Sequence, residues 1–168
     1  MTHAGNKMDW CLKKAEREMK GSGVHRGLRK IPPSPSKATE HLDKADHYLK
    51  ATEYLKKGGF SDISASTAFY AMYHCLLAIA VKSGYESRNQ DCTFAFVRTL
   101  IEENKISMDK ETIDRISSLD SGAGDSSIAL RERFQYGTEV AMKEAQYEAM
   151  KALAKEVIEL SRTVVKEN

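Results

Sequence analysis

The stretch DISASTAFYAMYHCLLAIAVKS, residues 62–83, decides the fold. Its apolar residues recur at helical spacing and extend nearly all the way round the helix. A helix that is apolar on most sides is a central one, packed against several neighbours. The longest strongly apolar run, residues 69–81, falls short of the about 20 residues that a membrane-spanning helix needs. We therefore expect a core helix and no contact with a membrane.

Weaker helical patterns flank this central helix on both sides. Caps, glycines and apolar spacing predict the following helices: about Lys7 to Lys20, Ser34–Pro35 to Gly58, Cys92 to Asn104 with Asp91 as its cap, a short one after Ser107, one or two turns ending at Gly137, and about Thr138 to Val165. Residues 21–33 and 120–127 are predicted loops, and no segment shows the alternation of a strand. The predicted fold class is all-α, an antiparallel up-and-down four-helix bundle with an extra N-terminal helix and short appended helices.

Charge is distributed unevenly along the chain. Residues 1–37 carry 9 Lys and Arg against 3 Asp and Glu, whereas residues 38–168 carry 17 against 21. We therefore divide the chain into an extension, residues 1–37, formed by the N-terminal helix and a basic loop, and a bundle, residues 38–168. The loop KGSGVHRGLRK, residues 20–30, contains no acid and is suited to contact phosphates. A solvated loop is the simpler interpretation of the charge pattern.

Three cysteines, Cys11, Cys75 and Cys92, lie far apart in the sequence. Their number is odd and the N-terminus MTHAGNKMDW has no apolar signal core, so we predict free thiols in a cytoplasmic protein. Paired Cys or His ligands at short spacing are lacking, so no metal site is expected. No cofactor is expected either, because GSGVHRG follows a helix instead of the strand that a dinucleotide-binding loop requires.

Tyr70, Tyr73 and His74 carry polar groups within the strongly apolar run of the central helix, residues 69–81. A polar group on a largely buried helix must have a partner or an opening to water. The simplest interpretation is a hydrogen-bonded histidine in the core or at an interface. The sharper one is that the three side chains line a pocket or groove.

A second cluster is RERFQYG, residues 131–137. On a helix, Arg131, Phe134 and Gln135 share one face, with Phe134 as the core anchor, and Gly137 lets the chain turn after Tyr136. Arg131 and Arg133 beside an exposed helix end suit a phosphate contact. The alternative is a surface ion pair with nearby Glu132 or Glu139.

The order of these pieces resembles the HEPN domain family. The matching segments are HLDKADHYLKATEYLKKGGF, SASTAFYAMYHCLLAIAVKSGY, DCTFAFVRTLIEENKI, LRERFQYG and EAMKALAKEVIELSRTVV, which together span about residues 38–165. The resemblance implies a four-helix bundle that pairs into a homodimer and has a nucleotide- or RNA-related role. It also implies a possible nucleotidyltransferase partner.

The resemblance implies, for active family members, a metal-independent ribonuclease. In such members an arginine is followed after four to six residues by a histidine at the dimer cleft. The histidine moves the proton of the ribose 2′-OH and the arginine stabilises the charged phosphorane. Here Arg131 matches the arginine, but Tyr136 stands where the histidine is expected, and no histidine follows His74. A tyrosine phenol is a poor base at neutral pH.

These observations predict a non-catalytic or degenerate HEPN-like dimer, of a toxin–antitoxin type, that binds a nucleotide, RNA or a nucleotidyltransferase. Tyr136 is also a possible site of modification by such a transferase. The candidate contact residues are Arg131, Arg133, Gln135, Tyr136, Tyr70, Tyr73 and His74. Two alternatives stay open: a ribonuclease that uses Arg131 with a substitute base such as His74 or His47, and a purely structural dimeric interaction protein.

Overall fold

Helices dominate the structure, a computed structural model that describes residues 2–117 and 126–167. The elements within these ranges are α1 (His3–Ser22), β1 (Leu28–Lys30), α2 (Pro35–Lys57), α3 (Ser61–Lys82), β2 (Tyr85–Ser87), α4 (Gln90–Glu102), α5 (Lys110–Ser117), α6 (Ser127–Tyr136) and α7 (Glu144–Lys166). The predicted all-α fold class is confirmed. The predicted loop at residues 120–127 lies largely outside the described residues.

Helix α3 lies at the centre of the bundle. It packs against α2, α4, α6 and α7, and 13 of its 22 residues are buried. By length and composition alone α3 is apolar enough to cross a membrane, but 61% of its most apolar window is buried inside the protein. That burial is expected of a core helix, as the sequence predicts.

The ends of the long helices follow local capping rules in part. Ser34 caps α2, with its side chain accepting from the backbone N–H of Lys37, and Pro35 takes the first helical position, as predicted. Helix α3 begins at Ser61, one residue before the stretch that marks it in the sequence, and no side chain caps it. The predicted cap of α4, Asp91, is wrong, because the Asn89 side chain accepts the backbone N–H of Cys92.

Two further helix starts were predicted too early. Helix α5 begins at Lys110, where Asp109 accepts the backbone N–H of Thr112, and not directly after Ser107. Helix α7 begins at Glu144. The residues before it form an extended connection, in which the backbone N–H of Met142 donates to Ser61 Oγ at 2.8 Å.

The N-terminal helix is covalently joined to the bundle. Cys11 on α1 and Cys92 on α4 form a disulfide across 81 residues, and both are fully buried. The prediction of free thiols is therefore wrong for these two cysteines and confirmed for the buried Cys75. The sequence did not reveal the pair, because only the packing of α1 on α4 brings the two positions together. The cytoplasmic location stays a prediction.

A short antiparallel ribbon replaces part of the predicted loop at residues 21–33. In it, β1 pairs with β2, with Arg29 opposite Glu86. The prediction of no strands is wrong here, because three residues are too few to show an alternating pattern. Burial alone would raise the pKa of the Glu86 carboxyl. The hydrogen bond from His25 and the guanidinium groups of Arg88 and Arg29 outweigh it and lower the pKa to about 2.

Removal of the disulfide tests whether the extension and the bundle are joined. The double variant Cys11→Ala/Cys92→Ala is expected to lose about 2–5 kcal/mol of the free energy of unfolding, because a long loop is no longer closed in the unfolded chain. Urea denaturation with and without reductant measures this loss. Reductant should destabilise the wild type and a Cys75→Ala control, and should leave the double variant unchanged. Three titratable thiols in unreduced, denatured wild type would contradict the disulfide.

Candidate functional site

One face of α3 is only partly covered by the rest of the bundle. This face, which we name the α3 stripe, consists of residues that are half-buried or exposed along the length of the helix: Ile63, Ser66, Thr67, Tyr70, Tyr73, His74 and Leu77. At about 100° per residue these positions span an arc of roughly 120°. The predicted candidates Tyr70, Tyr73 and His74 thus share one surface, with α2 along one side and α4 along the other.

Aromatic rings connect the stripe to its neighbours. Tyr73 stacks on the buried Phe69 with ring centroids 6.0 Å apart, and its hydroxyl is 3.1 Å from Thr93 Oγ1 on α4. Burial raises the pKa of the Tyr73 phenol. On the other side Tyr70 lies beside Tyr48 of α2, with centroids 5.8 Å apart. The stripe is therefore a well-packed aromatic surface held at both edges.

His74 forms a pair with His41 of α2. Their Nδ1 atoms are 3.0 Å apart and their ring centroids 5.3 Å apart, so the two nitrogens face each other head-on. This arrangement fits one Nδ1–H donating to the other Nδ1, and it leaves both Nε2 atoms for other partners. His41 was missed among the candidates. The sequence contained an indication of its role, because His41 and Tyr48 are seven residues apart and therefore lie on the same face of α2.

Burial keeps the histidine pair neutral. It lowers the pKa of His74 to about 4, with further contributions from His41 and Lys44. Burial also lowers the pKa of His41. Protonation of both rings would place two N–H donors against each other, so this geometry disfavours a doubly protonated pair. Within the described residues, no group of three or more His, Cys, Asp or Glu side chains is placed to hold a metal ion.

Arg131 on α6 is the most deeply buried cation of the predicted site. Its side chain is only 9% exposed, and its guanidinium lies 4.8 Å from the centre of the Phe69 ring. One terminal nitrogen donates to Gln135 Oε1 at 3.2 Å, and the other is 3.6 Å from a Glu132 carboxylate oxygen. The buried Nε has no hydrogen-bond partner among the described residues. Arg131 is therefore an incompletely satisfied buried charge.

The other predicted residues of α6 point outward. Arg133 makes a two-point ion pair with Glu139, with N–O distances of 2.9 and 3.1 Å. This surface ion pair is one that the alternative interpretation of the cluster expected. Gln135 is exposed as a residue, although its side-chain oxygen accepts from Arg131. Tyr136, at the end of α6, is 76% exposed.

Arg131 and the histidine pair lie at opposite edges of the α3 stripe. Phe69, which carries Arg131, and His74 are five residues apart, or roughly 140° around α3. His74 contacts α2, whereas Arg131 belongs to α6. Tyr70 and Tyr73 occupy the surface between them. On one chain, the structure therefore does not join the arginine and a histidine into a single catalytic pair.

Comparison with known families gives a match over most of the chain. The sequence model of the HEPN domain matches residues 38–164. That range begins near the start of α2 and includes the α3 stripe, Arg131 and the histidine pair. Among curated proteins, none matches this sequence.

The histidine pair predicts a pH dependence of stability. The pKa of His74 is lowered from 6.5 to about 4 in the folded chain, so the unfolded chain binds more protons between these values. Stability should therefore be full above about pH 6.5 and decline as the pH falls towards 4. Thermal unfolding between pH 4 and 7 measures this decline. It should be smaller in His74→Asn and retained in His47→Asn, whose histidine is exposed. An equal decline in both variants would contradict the assignment.

Proposed function

Because the chain belongs to the HEPN domain family, we propose that it is a non-catalytic homodimeric module that binds the phosphate of a nucleotide or RNA beside its dimer surface. The observation that carries this proposal is the buried, incompletely satisfied guanidinium of Arg131 next to the partly covered α3 stripe. A buried cation with unused donors is costly unless an anion completes its hydrogen bonds.

The dimer surface in this proposal is the α3 stripe. A second copy is the occupant that the family resemblance implies, and a twofold axis would place the same stripe of each copy against the other. Several large apolar side chains are exposed near the amino end of α3 and on the connection that Ser61 holds: Tyr54, Phe60, Ile63, Tyr136 and Val140. A self-complementary interface would remove this apolar area from water.

The phosphate contact in this proposal is made by Arg131. The guanidinium lies over the Phe69 ring, 4.8 Å from its centre, and its unused N–H groups are suited to bind two oxygens of one phosphate. Arg133 is less suited, since Glu139 already engages it at two points. Variants that each lack one of these two arginines therefore show which of them contacts the phosphate.

The positions of His74 and His47 on one chain favour a non-catalytic role over the ribonuclease alternative. On one chain His74 lies across the stripe, with its Nδ1 engaged by His41. His47 is exposed on α2 against Tyr48. Neither is placed to take a proton at a phosphate held by Arg131 of the same chain. The purely structural alternative predicts no ligand at all.

A nucleotidyltransferase partner of a toxin–antitoxin type also belongs to this proposal. The exposed hydroxyl of Tyr136 is accessible to such an enzyme, which would transfer an adenylyl group from ATP to the phenol oxygen and release pyrophosphate. Tyr136 lies at the end of α6, five residues after Arg131, which is roughly 140° around the helix from the proposed contact, so the added phosphate would be a second anionic group and not the ligand of Arg131 on the same chain.

Disruption of the stripe tests the dimer. The wild type is expected to be a dimer by light scattering at micromolar concentration, and Leu77→Lys to be a folded monomer, because each copy would bury a lysine in the interface. The matched control Val24→Lys places the same charge on an exposed apolar residue of the extension, and it should stay dimeric. A monomeric wild type would remove the basis of the shared site.

Replacement of Arg131 tests the phosphate contact. Arg131→Met keeps much of the packing on Phe69 and is expected to weaken binding of ATP at least tenfold, since a charge-assisted pair is lost. Arg133→Met serves as the control and should bind as the wild type does. Calorimetric titration gives both affinities. Equal binding by Arg131→Met and wild type, or no binding by either, would contradict the proposal, as would cleavage of structured RNA by wild type in the presence of a chelator.

A further inference from the structure

The outer face of α1 combines basic side chains with one exposed aromatic ring. Lys7, Trp10, Lys14 and Arg17 follow one another at spacings of three and four residues and therefore lie on the same side of the helix. Trp10 is the only tryptophan of the chain, and 46% of it is exposed. This face lies outside the HEPN match, which begins at residue 38.

The cations on this face surround the indole ring. The ammonium groups of Lys7 and Lys14 lie 4.4 and 5.3 Å from the ring centre of Trp10. The one acid that pairs with Lys14 in the described ranges is Glu18, at 3.9 Å. Within the described residues no ion pair engages Arg17. A shallow cleft of about 460 Å³ is lined by Trp10, Lys14, Arg17 and Glu18.

The basic loop continues this face. The backbone N–H of Arg26 donates to a carboxylate oxygen of Glu18 at 2.6 Å, which places the loop beside the cleft. The loop is anchored to strand β2, because the buried His25 lies 3.1 Å from the carboxylate of Glu86 on that strand. At Gly27 a side chain is excluded, since a Cβ would lie 2.6 Å from the carbonyl oxygen of Cys11. The backbone at the exposed Arg26 is thus held in place, and no side-chain ion pair engages Arg26 in the described part of the chain.

We propose that this basic–aromatic face, formed by Lys7, Trp10, Lys14, Arg17 and Arg26, binds single-stranded nucleic acid. Clustered cations without strong acidic partners are suited to phosphates, and an exposed indole is suited to stack on an unpaired base. The combination favours a single strand over a lipid surface, because cations flank Trp10 on α1 and, among the described residues of the extension, Val24 is the single other large apolar side chain that is exposed. The face acts independently of the α3 stripe and of Arg131.

Because Trp10 is the single tryptophan, its fluorescence reports binding at this face directly. An oligouridine RNA and an oligothymidine DNA are titrated separately into the full chain while Trp10 fluorescence is recorded at low salt. Stacking is expected to quench the fluorescence, and added salt should weaken binding steeply, as phosphate contacts require. Quenching by both strands, or by one of them alone, supports the proposal and identifies the strand. No quenching by either would overturn it.

Two double variants that each remove two positive charges distinguish binding at this face from general electrostatic attraction to the protein. Lys14→Ala/Arg17→Ala is expected to weaken binding about tenfold or more. Lys50→Ala/Lys57→Ala, which removes two exposed lysines from α2, should change it less than twofold. Equal weakening by both pairs would overturn the proposal, as would a fluorescence change with anionic phospholipid vesicles and none with nucleic acid. Arg131→Met should leave the quenching intact, so failure of the phosphate proposal is distinguishable from failure here.

Discussion

Helix α3 packs against four other helices at once, and the rest of the structure depends on this burial. Small residues such as Ala65, Ala68 and Ala71 let neighbouring helices approach closely, while Phe69 and Leu76 fill the space between them. Such a helix exposes little surface that could bind a ligand or a partner. The α3 stripe is the part that remains, so the aromatic and polar side chains there are the ones available to a partner.

The polar groups at the edges of the stripe differ in how well their neighbours satisfy them. His41 and His74 satisfy each other through one hydrogen bond and stay neutral, which costs little in a half-buried position. Arg131 keeps its charge in a buried position with an unpaired Nε. A protein that has no use for such a charge does better with an apolar residue of the same shape. This difference points to Arg131, and not to the histidines, as the group whose hydrogen bonds an external anion would complete.

Much of this organisation could be predicted from sequence and, apart from misplaced helix starts, the failures share one physical cause. The central helix and the Ser34–Pro35 start of α2 follow from local pattern and capping. The Cys11–Cys92 disulfide, the β1–β2 ribbon and the His41–His74 pair do not, because each joins segments that are far apart in the chain. Residues at the predicted site were placed on the right helices, but the division between Arg131 on one edge and His74 on the other required the packing of α2 and α6.

The central claim is that a second copy covers the α3 stripe in solution. A spin label at Ser66→Cys, in the middle of the stripe, tests it most directly, because the native cysteines are buried or disulfide-bonded. Pulsed dipolar spectroscopy should give a short distance between labels on two copies, and a longer one for a label at Val24→Cys. If the label at residue 66 showed no coupling to a second copy, or a longer distance than the label at residue 24, the stripe would not be the dimer surface.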